Sequence, residues 1–287
     1  MNFVFLSSIF LSAGAVDTTP GGVSNMRGFA RGADAVTFDP AATAFVNGFE
    51  LQYEQFSIER ERSLFGAYTV IPAGPFRMHL GYEWLPLTNR SFERASVGGA
   101  WKLSELLAIG FTYRGLRARE DYFKGGSTWD VGMYAVPTKW LSFSLGLDDI
   151  GNPYLLDARQ NFSYAAGFAV RPIAGAPWLT LGAQSRLDCK EHEFTETRAV
   201  VDVGSRGIHA YGAYDFQTRF LAVGLQLMFG VLEVRQALEI ATGDKSRPGT
   251  NREELASATV VTFRSNPSES LGDWVNGATV ELALNGD

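Results

Sequence analysis

The stretch Phe76–Trp84, which reads FRMHLGYEW, alternates large apolar residues with polar or small ones. Because successive side chains of a β-strand point to opposite faces, this alternation predicts a strand with one apolar and one polar face. The same period of two recurs over 141–148, 161–171 and 221–229. Each segment is about as long as the ~9 to 11 residues with which a tilted strand crosses a bilayer.

Fourteen segments of the chain carry this strand pattern. We predict strands at 49–58, 63–71, 76–84, 93–102, 107–116, 128–136, 140–147, 161–171, 178–186, 195–203, 208–216, 220–229, 231–240 and 257–264. Most even-numbered connections are tight turns, whereas most odd-numbered ones, such as 85–92, 117–127 and 241–256, are longer and more polar. Short turns on one rim and long loops on the other are typical of outer-membrane barrels, which also need an even number of strands.

Barrel width decides which face of each strand points inward. About eight strands already leave an interior that side chains can fill, so ~14 strands with apolar residues inside would enclose a large void. The apolar face should therefore contact lipid. The sequence thus predicts an all-β fold, a closed antiparallel transmembrane β-barrel of about 14 strands. Tryptophans near strand ends fit an interfacial girdle: Trp84, Trp101, Trp129, Trp140 and Trp178. The alternative is an exported soluble β-sandwich, solenoid or propeller.

The composition and the absence of certain sequence motifs argue against several classes of function. Lys+Arg 25 against Asp+Glu 31 gives a net charge of -6, which disfavours a nucleic-acid-binding surface spread over the protein. The single cysteine, Cys189, excludes an internal disulfide, and with His192 it supplies at most half of a zinc site. The sequence contains no nucleophile elbow and no glycine-rich phosphate loop. We therefore expect no enzyme activity, no catalytic residues, no cofactor, no metal and no nucleic-acid partner.

The first fifteen residues have the pattern of an export signal. Residues 3–16 form an apolar run that is broken only by Ser and Gly and is too short to span a membrane as a helix. Ala13 and Ala15 place small residues at the −3 and −1 positions of a cleavage site. We predict a cleaved signal peptide at 1–15 and a location in the bacterial outer membrane, with outer-membrane lipid as a partner.

Between this signal and the first strand lies the stretch 24–48, which reads SNMRGFARGADAVTFDPAATAFVNG. It resembles the N-terminal region of the FadL-type long-chain fatty-acid transporters and the related PorV-type barrels, which run from a Gly/Ala-rich stretch through Asp-Pro or Asn-Pro-Ala into the first strand. The motif residues are Gly28, Asp39, Pro40 and Ala41. In the FadL family this region forms a hatch inside a fourteen-stranded barrel. The resemblance therefore implies a plug at 16–48 and a barrel at 49–264.

Several charged residues fall where a lumen is predicted. The ligand or lumen candidates are Arg27, Arg31, Arg77, His79 and Glu83. The two plug arginines could pair with lumen carboxylates such as Glu83 or Asp148, meet the carboxylate of a ligand, or only pin the plug by hydrogen bonds. His79 lies on the polar face of its predicted strand, where it could handle protons in the lumen, although we expect a solvated histidine.

The C-terminal residues 265–287 continue beyond the last predicted barrel strand. Residues 265–274 resemble a linker, and 277–284 have the pattern of another strand, which would need partners to be stable. We predict a periplasmic tail or the start of a further domain. This order of parts is similar to signal peptide peptidase A-like proteins, which carry a barrel ahead of their protease domains. Alternatively, the tail pairs with the rim or the plug.

Three functions are consistent with this sequence. The main interpretation is a passive channel or transporter for hydrophobic small molecules such as fatty acids, because such molecules cross the lipopolysaccharide leaflet poorly. The first alternative is a non-transporting barrel that anchors or scaffolds a periplasmic or secreted protein partner, like PorV or the barrel of a signal peptide peptidase A-like protein. The second alternative is a soluble exported β protein.

Overall fold

The structure, a computed structural model, describes residues 27–29, 32–58, 62–87, 90–118, 126–151, 154–155, 158–159, 161–173, 178–205, 207–217, 219–242 and 255–266. Two 3₁₀ helices and sixteen strands make up this part: η1 Ala33–Thr37, η2 Pro40–Phe45, β1 Glu50–Ile58, β2 Arg62–Ala73, β3 Phe76–Leu87, β4 Arg90–Ser104, β5 Leu107–Ala118, β6 Gly126–Thr138, β7 Leu141–Ile150, β8 Tyr154–Leu155, β9 Ala158–Arg159, β10 Ser163–Val170, β11 Leu179–Asp188, β12 Phe194–Ser205, β13 Ile208–Asp215, β14 Phe220–Phe229, β15 Leu232–Ala241 and β16 Leu255–Arg264. The predicted signal peptide at 1–15 and the tail beyond residue 266 lie outside the described residues. Within them, no helix has the length and hydropathy needed to cross a membrane.

Fourteen of these strands close into one antiparallel barrel, in which β1 pairs with both β2 and β16. The short strands β8 and β9 form a separate hairpin within the connection between β7 and β10. Closure pairs each barrel strand on both sides, so the sheet has no open edge. Each predicted strand coincides with one barrel strand, and the predicted closed fourteen-stranded barrel is confirmed.

The two faces of each strand differ in polarity as predicted. On β3, Leu80 is 43% exposed and Tyr82 is 47% exposed, whereas His79 is 0% and Glu83 is 3% exposed. The apolar stripes therefore cover the outside of the barrel, and the polar stripes face its interior. In a soluble β protein the apolar stripes would meet in a dry centre, so the predicted alternative of a soluble fold is wrong.

The connections differ between the two rims of the barrel. We call the end at which β1 begins and β16 ends the short-turn rim, and the opposite end the long-loop rim. Two-residue turns at 74–75, 105–106, 139–140 and 230–231 lie on the short-turn rim. The Phe49 N–H donates to the Ser265 hydroxyl at 2.9 Å, which ties the two ends of the barrel chain together.

One predicted connection on the long-loop rim is wrong. Residues 85–92 were expected to form a polar loop, but β3 continues to Leu87 and β4 starts at Arg90, with Leu87 opposite Arg90. The alternation of apolar and polar residues stops at Trp84, while the backbone pairing continues to Leu87. Side-chain periodicity therefore does not mark the end of the hairpin.

The exposed tryptophans lie at two levels. Trp84 and Trp129 are near the long-loop rim and are 42% and 47% exposed, whereas Trp101 and Trp178 are near the short-turn rim and are 54% and 47% exposed. Phe76 pairs with Trp101, so eight residues of β3 separate the two levels. At ~3.3 Å per residue and a tilt of ~40°, this is roughly 20 Å along the membrane normal, so the two tryptophan levels lie within an apolar band about 25 Å tall.

An arginine on the outer face tests the orientation of the strands. Leu225 is 45% exposed in the middle of β14, so Leu225→Arg should lower the free energy of unfolding by about 2 to 4 kcal/mol if this face meets hydrocarbon. The measurement is denaturant unfolding in lipid vesicles. Ile208 begins β13 at the short-turn rim and is 59% exposed, so Ile208→Arg is the control and should cost about 0 to 1 kcal/mol. Equal costs would contradict the assignment.

Candidate functional site

Residues 27–29 and 32–47, which precede β1, lie inside the barrel, and we call them the inner segment. Ala33, Val36 and Ala41 within it are 0% exposed. Helix η1 contacts strands β1 to β4, and helix η2 contacts strands β3 to β6. Pro40 begins η2, where its fixed φ suits a helix start and its missing N–H is not needed. The inner segment is therefore packed against the inward face of the wall.

A row of small residues on the inner wall makes room for this packing. In register from β4 to β7 the row runs through Ala100, Gly110, Gly132 and Gly146. A Cβ atom at Gly110 would lie 2.5 Å from the backbone N of Ala41 and 2.5 Å from the carbonyl carbon of Pro40. The motif residues Pro40 and Ala41 thus lie where the wall has almost no side chains.

The wall is also thin at this row. On the outer side of Gly132 and Gly146 lies a groove of about 580 Å³, whose apolar lining includes Met133, Leu145 and Tyr164. Because the glycines contribute no side chains, only the backbone of β6 and β7 separates this groove from the inner segment. The inner segment and the outer groove therefore contact the same two-strand portion of the wall.

Gly28 is held in the left-handed region, with φ +79°. A Cβ atom there would also lie 2.7 Å from the Cα of Phe168 on β10. The Gly28 carbonyl accepts hydrogen bonds from the Tyr134 hydroxyl at 3.3 Å and from the Ser142 hydroxyl. Glycine is therefore required at this position both for its backbone conformation and for its close approach to the wall.

Arg27 joins the start of the inner segment to β7 and β11. Its guanidinium forms a buried ion pair with Asp148, and its backbone N–H donates to Gln184 Oε1 at 2.8 Å. Arg186 extends this cluster, with Nη2 at 2.7 Å from Asp149 Oδ2. One of the pairings considered from the sequence, Arg27 with Asp148, is therefore present. Removing either partner would leave a buried charge unpaired.

Glu83 is not paired with a plug arginine among the described residues. Glu83 pairs with Arg94 on β4 at 2.6 Å and accepts a hydrogen bond from the Tyr68 hydroxyl at 2.9 Å. It therefore belongs to a network within the wall of β2, β3 and β4. Arg31 lies outside the described residues, and its role stays a prediction.

His79 and Arg77, both on β3, contact the inner segment. His79 Nδ1 is 3.2 Å from the Thr43 hydroxyl of η2, and His79 Nε2 is 2.9 Å from the Thr112 hydroxyl of β5. The expectation of a solvated histidine is wrong, because η2 covers His79 and leaves it 0% exposed. Arg77 Nε donates to the carbonyl of Val46 at 2.8 Å, near the point where the inner segment leaves the lumen.

Sequence reasoning missed further residues that hold the inner segment. Glu50 Oε2 accepts the N–H of Ala33 at 2.9 Å, and Glu50 is itself held by Arg264 of β16 at 3.1 Å. Arg114 Nη2 donates to the carbonyl of Thr37 at 2.6 Å. The sequence does show that these charged residues occupy inward-facing positions of their strands. That position alone does not tell whether a side chain contacts the inner segment or another residue of the wall.

The opposite part of the inner wall carries an apolar patch among its charged residues. Phe29 is 1% exposed and packs into a cluster of small side chains and one tyrosine from β10 and β12 to β16, which we call the inner apolar patch: Ala169, Val200, Tyr211, Ala213, Ala222, Ala237 and Ala258. These residues occupy inward positions that carry polar groups elsewhere in the barrel. The lumen therefore contains an apolar surface next to the inner segment.

Asp39 precedes η2 and is 0% exposed. Among the described residues neither carboxylate oxygen has a hydrogen-bond partner of normal geometry, although the Ser144 hydroxyl and the Gly28 N–H lie close by. Burial raises the pKa of Asp39 to about 6, and the positive charge of Arg27 opposes this rise. At neutral pH the ionised carboxylate therefore weakens docking of the inner segment.

The single thiol lies away from this site. Cys189 follows β11 and is unpaired, and burial raises the pKa of its thiol, which favours the unreactive protonated form. Across the described ranges, no group of three or more His, Cys, Asp or Glu residues could hold a metal ion.

Comparisons with known proteins identify solved structures of similar fold but no matching sequence family. No family model and no curated protein matches the sequence. The Pseudomonas putida toluene transporter TodX matches with a TM-score of 0.58 at 9% identity, covering 86% of this chain and 96% of that one. The CymD monoaromatic hydrocarbon channel matches with a TM-score of 0.58 at 8% identity, covering 88% and 98%. At this identity the likeness shows a shared fold.

A larger residue at Gly110 should displace the inner segment. Gly110→Val places a side chain against the backbone of Pro40 and Ala41, which cannot move aside as a side chain would, so η2 should leave the wall. Gly115→Val on the same strand is the matched control, because a Cβ atom there meets nothing within 4 Å. The measurement is protease cleavage of the inner segment, with heat-modifiable migration reporting the intact barrel. Equal protection in both variants would contradict this packing.

Docking of the inner segment should depend on pH through Asp39. Since burial raises the pKa of Asp39 from 3.8 to about 6, the docked state retains the proton that an undocked carboxyl would lose. Docking should be strongest below about pH 4 and should weaken by up to about 100-fold as the pH rises through 6. The measurement is hydrogen-exchange protection of the Ala42 N–H, which donates to the Asp39 carbonyl at 3.0 Å, relative to its intrinsic rate at each pH.

Asp39→Asn is the matched control, because the amide has a similar shape and does not titrate. Its protection should stay constant between about pH 4 and 7, close to the level of the natural protein at low pH. A natural protein with constant protection over the same range would contradict the role assigned to Asp39.

Proposed function

We propose that this protein is an outer-membrane channel for hydrophobic small molecules, with the inner segment acting as a movable hatch. The observation that carries the proposal is the inner apolar patch beside a docked segment, inside a barrel of fourteen strands. Water-filled barrels of this class have polar interiors, so an apolar surface in the lumen favours an apolar passenger.

The contacts that hold the inner segment favour a reversible hatch. They are mainly single hydrogen bonds and ion pairs, such as Arg27 with Asp148 and Ala33 with Glu50. The apolar contacts of η2 join small side chains, for example Ala44 with Ala100 and Ala108, and one aromatic pair, Phe45 with Tyr134 at 5.4 Å between ring centroids. Exchanging one such charged hydrogen bond for a hydrogen bond to water costs about 1.5 to 3 kcal/mol, so release of the segment one part at a time is energetically accessible.

The class of passenger is inferred from two similarities. TodX is a toluene transporter and CymD a monoaromatic hydrocarbon channel, and both share the fold of this chain. The FadL resemblance of residues 24–48 points to long-chain fatty acids. The two share hydrophobicity, so toluene and a long-chain fatty acid are both suitable probes.

Membrane location is part of the proposal. The outer face is apolar between the two tryptophan levels, and lipid is the partner that such a belt requires. Export through a cleaved signal peptide at 1–15, and a periplasmic protein that binds the tail at 265–287, stay predictions. Fractionation of outer membranes and N-terminal sequencing of the mature protein test the location and the cleavage.

Uptake by whole cells tests the channel and the hatch together. Cells with the protein should take up labelled toluene or fatty acid faster than cells without it. In a Cys189→Ser background, a disulfide between Ala44→Cys on η2 and Ala108→Cys on β5 should lock the inner segment to the wall. Uptake should then fall to the rate of cells without the protein and return on reduction.

The single-cysteine variants are the controls, because neither can form the lock. Equal uptake with and without the protein would defeat the channel. Normal uptake through the oxidised double variant would leave the channel in place and defeat the hatch.

A further inference from the structure

Two amide side chains lie on the outer face of the barrel, next to its closure seam. Gln55 of β1 pairs with Thr259 of β16, and Thr259 pairs with Gln236 of β15. All three side chains point outward, because the adjacent Glu54 and Ala258 are buried inside at 1% and 2% exposure. Among the described strand residues, Gln55 and Gln236 are the only amides on the outer face.

This row, which we call the amide row, lies within the apolar belt. Gln55 is five residues from Glu50 at the short-turn rim. At ~3.3 Å per residue and a tilt of ~40°, this is roughly 13 Å up a belt about 25 Å tall. Exposed apolar residues flank the row on both sides, with Leu232 at 40% towards the short-turn rim and Leu238 at 40% towards the long-loop rim.

Hydrocarbon cannot satisfy these amides. The Thr259 hydroxyl donates to Gln236 Oε1 at 2.6 Å, which leaves the Gln236 amino group facing outward. The Gln55 amide has no hydrogen-bond partner among the described residues. Because an unsatisfied polar group in a bilayer is costly, polar groups at this depth mark contacts with something other than lipid chains.

The surface beside the amide row permits close approach. Ser57, Ser63 and Ser257 point outward next to it, and the hydroxyls of Ser57 and Ser63 are 3.2 Å apart. Ala67 on β2 is also small and exposed. Small and hydroxyl side chains are typical of protein–protein contacts within membranes, because they let two backbones come close together.

We propose that this seam is the interface between two copies of the protein. The amide row is symmetric about Thr259, with a glutamine on each side. A twofold axis along the membrane normal at Thr259 places Gln55 of one copy across from Gln236 of its partner, with a height offset of roughly 6 Å that arises because the row is tilted with the strands and that two glutamine side chains can span. Each amide both donates and accepts, so the two contacts satisfy each other. This self-complementarity favours a second copy over a different protein.

Disulfide cross-linking in native outer membranes tests the proposed axis. In a Cys189→Ser background, Thr259→Cys should give a disulfide-linked homodimer when the membranes are treated with a copper phenanthroline oxidant. Val97→Cys on β4 is the control, since Val97 is also outward and 47% exposed but lies away from the seam. The Thr259→Cys variant should give about tenfold more dimer than the control.

Replacing both amides tests the source of the affinity. Gln55→Leu with Gln236→Leu keeps the outer face apolar, so the barrel should still fold, as heat-modifiable migration would report. Cross-linking through Thr259→Cys should fall about tenfold in this variant. Three results would overturn the proposal: equal dimer from Thr259→Cys and Val97→Cys, a disulfide adduct with a different protein, or cross-linking that the leucines leave unchanged.

Discussion

The hydrogen bonds between β1 and β16 are the contact on which the rest of the structure depends. This pairing runs without a break from Glu50 opposite Arg264 to Ile58 opposite Ala256. A bilayer offers no partner to an exposed strand edge, so a sheet with this apolar outer face is stable in it only when closed. Closure of fourteen strands in turn fixes a lumen wider than the wall's own side chains can fill.

Two features of the inner wall help to fill the wide lumen. From β4 to β7 a row of alanine and glycine, including Gly110 and Gly146, admits the inner segment directly against the backbone. From β12 to β16 small apolar residues such as Ala213 and Ala237 face Phe29. Charged pairs such as Glu83 with Arg94 occupy other inward positions and satisfy one another within the wall.

Strand positions and faces could be predicted from the sequence, because the period-two alternation of segments such as Phe76–Trp84 directly reflects the difference between the outside and the lumen. The end of the β3–β4 hairpin could not be predicted, since backbone pairing beyond Trp84 continues without that side-chain pattern. For the site, the pairing of Arg27 with Asp148 was among those considered, but the burial of His79 depends on η2 covering it. Such coverage is a tertiary property that the alternation within one strand does not encode.

The positions that break the alternation are the informative ones. An apolar residue such as Ala222 in the lumen and an amide such as Gln55 on the outer face both oppose the simple rule of apolar outside and polar inside. The two exceptions differ in what satisfies them, because Ala222 packs in one cluster with Phe29 of the inner segment, whereas lipid offers no hydrogen bond to Gln55. In the proposed channel, release of the inner segment exposes the inner apolar patch to an apolar passenger, and in the proposed dimer a second copy satisfies the amide at the seam. Under these two proposals, the exceptions on the two faces of the same wall correspond to two different partners.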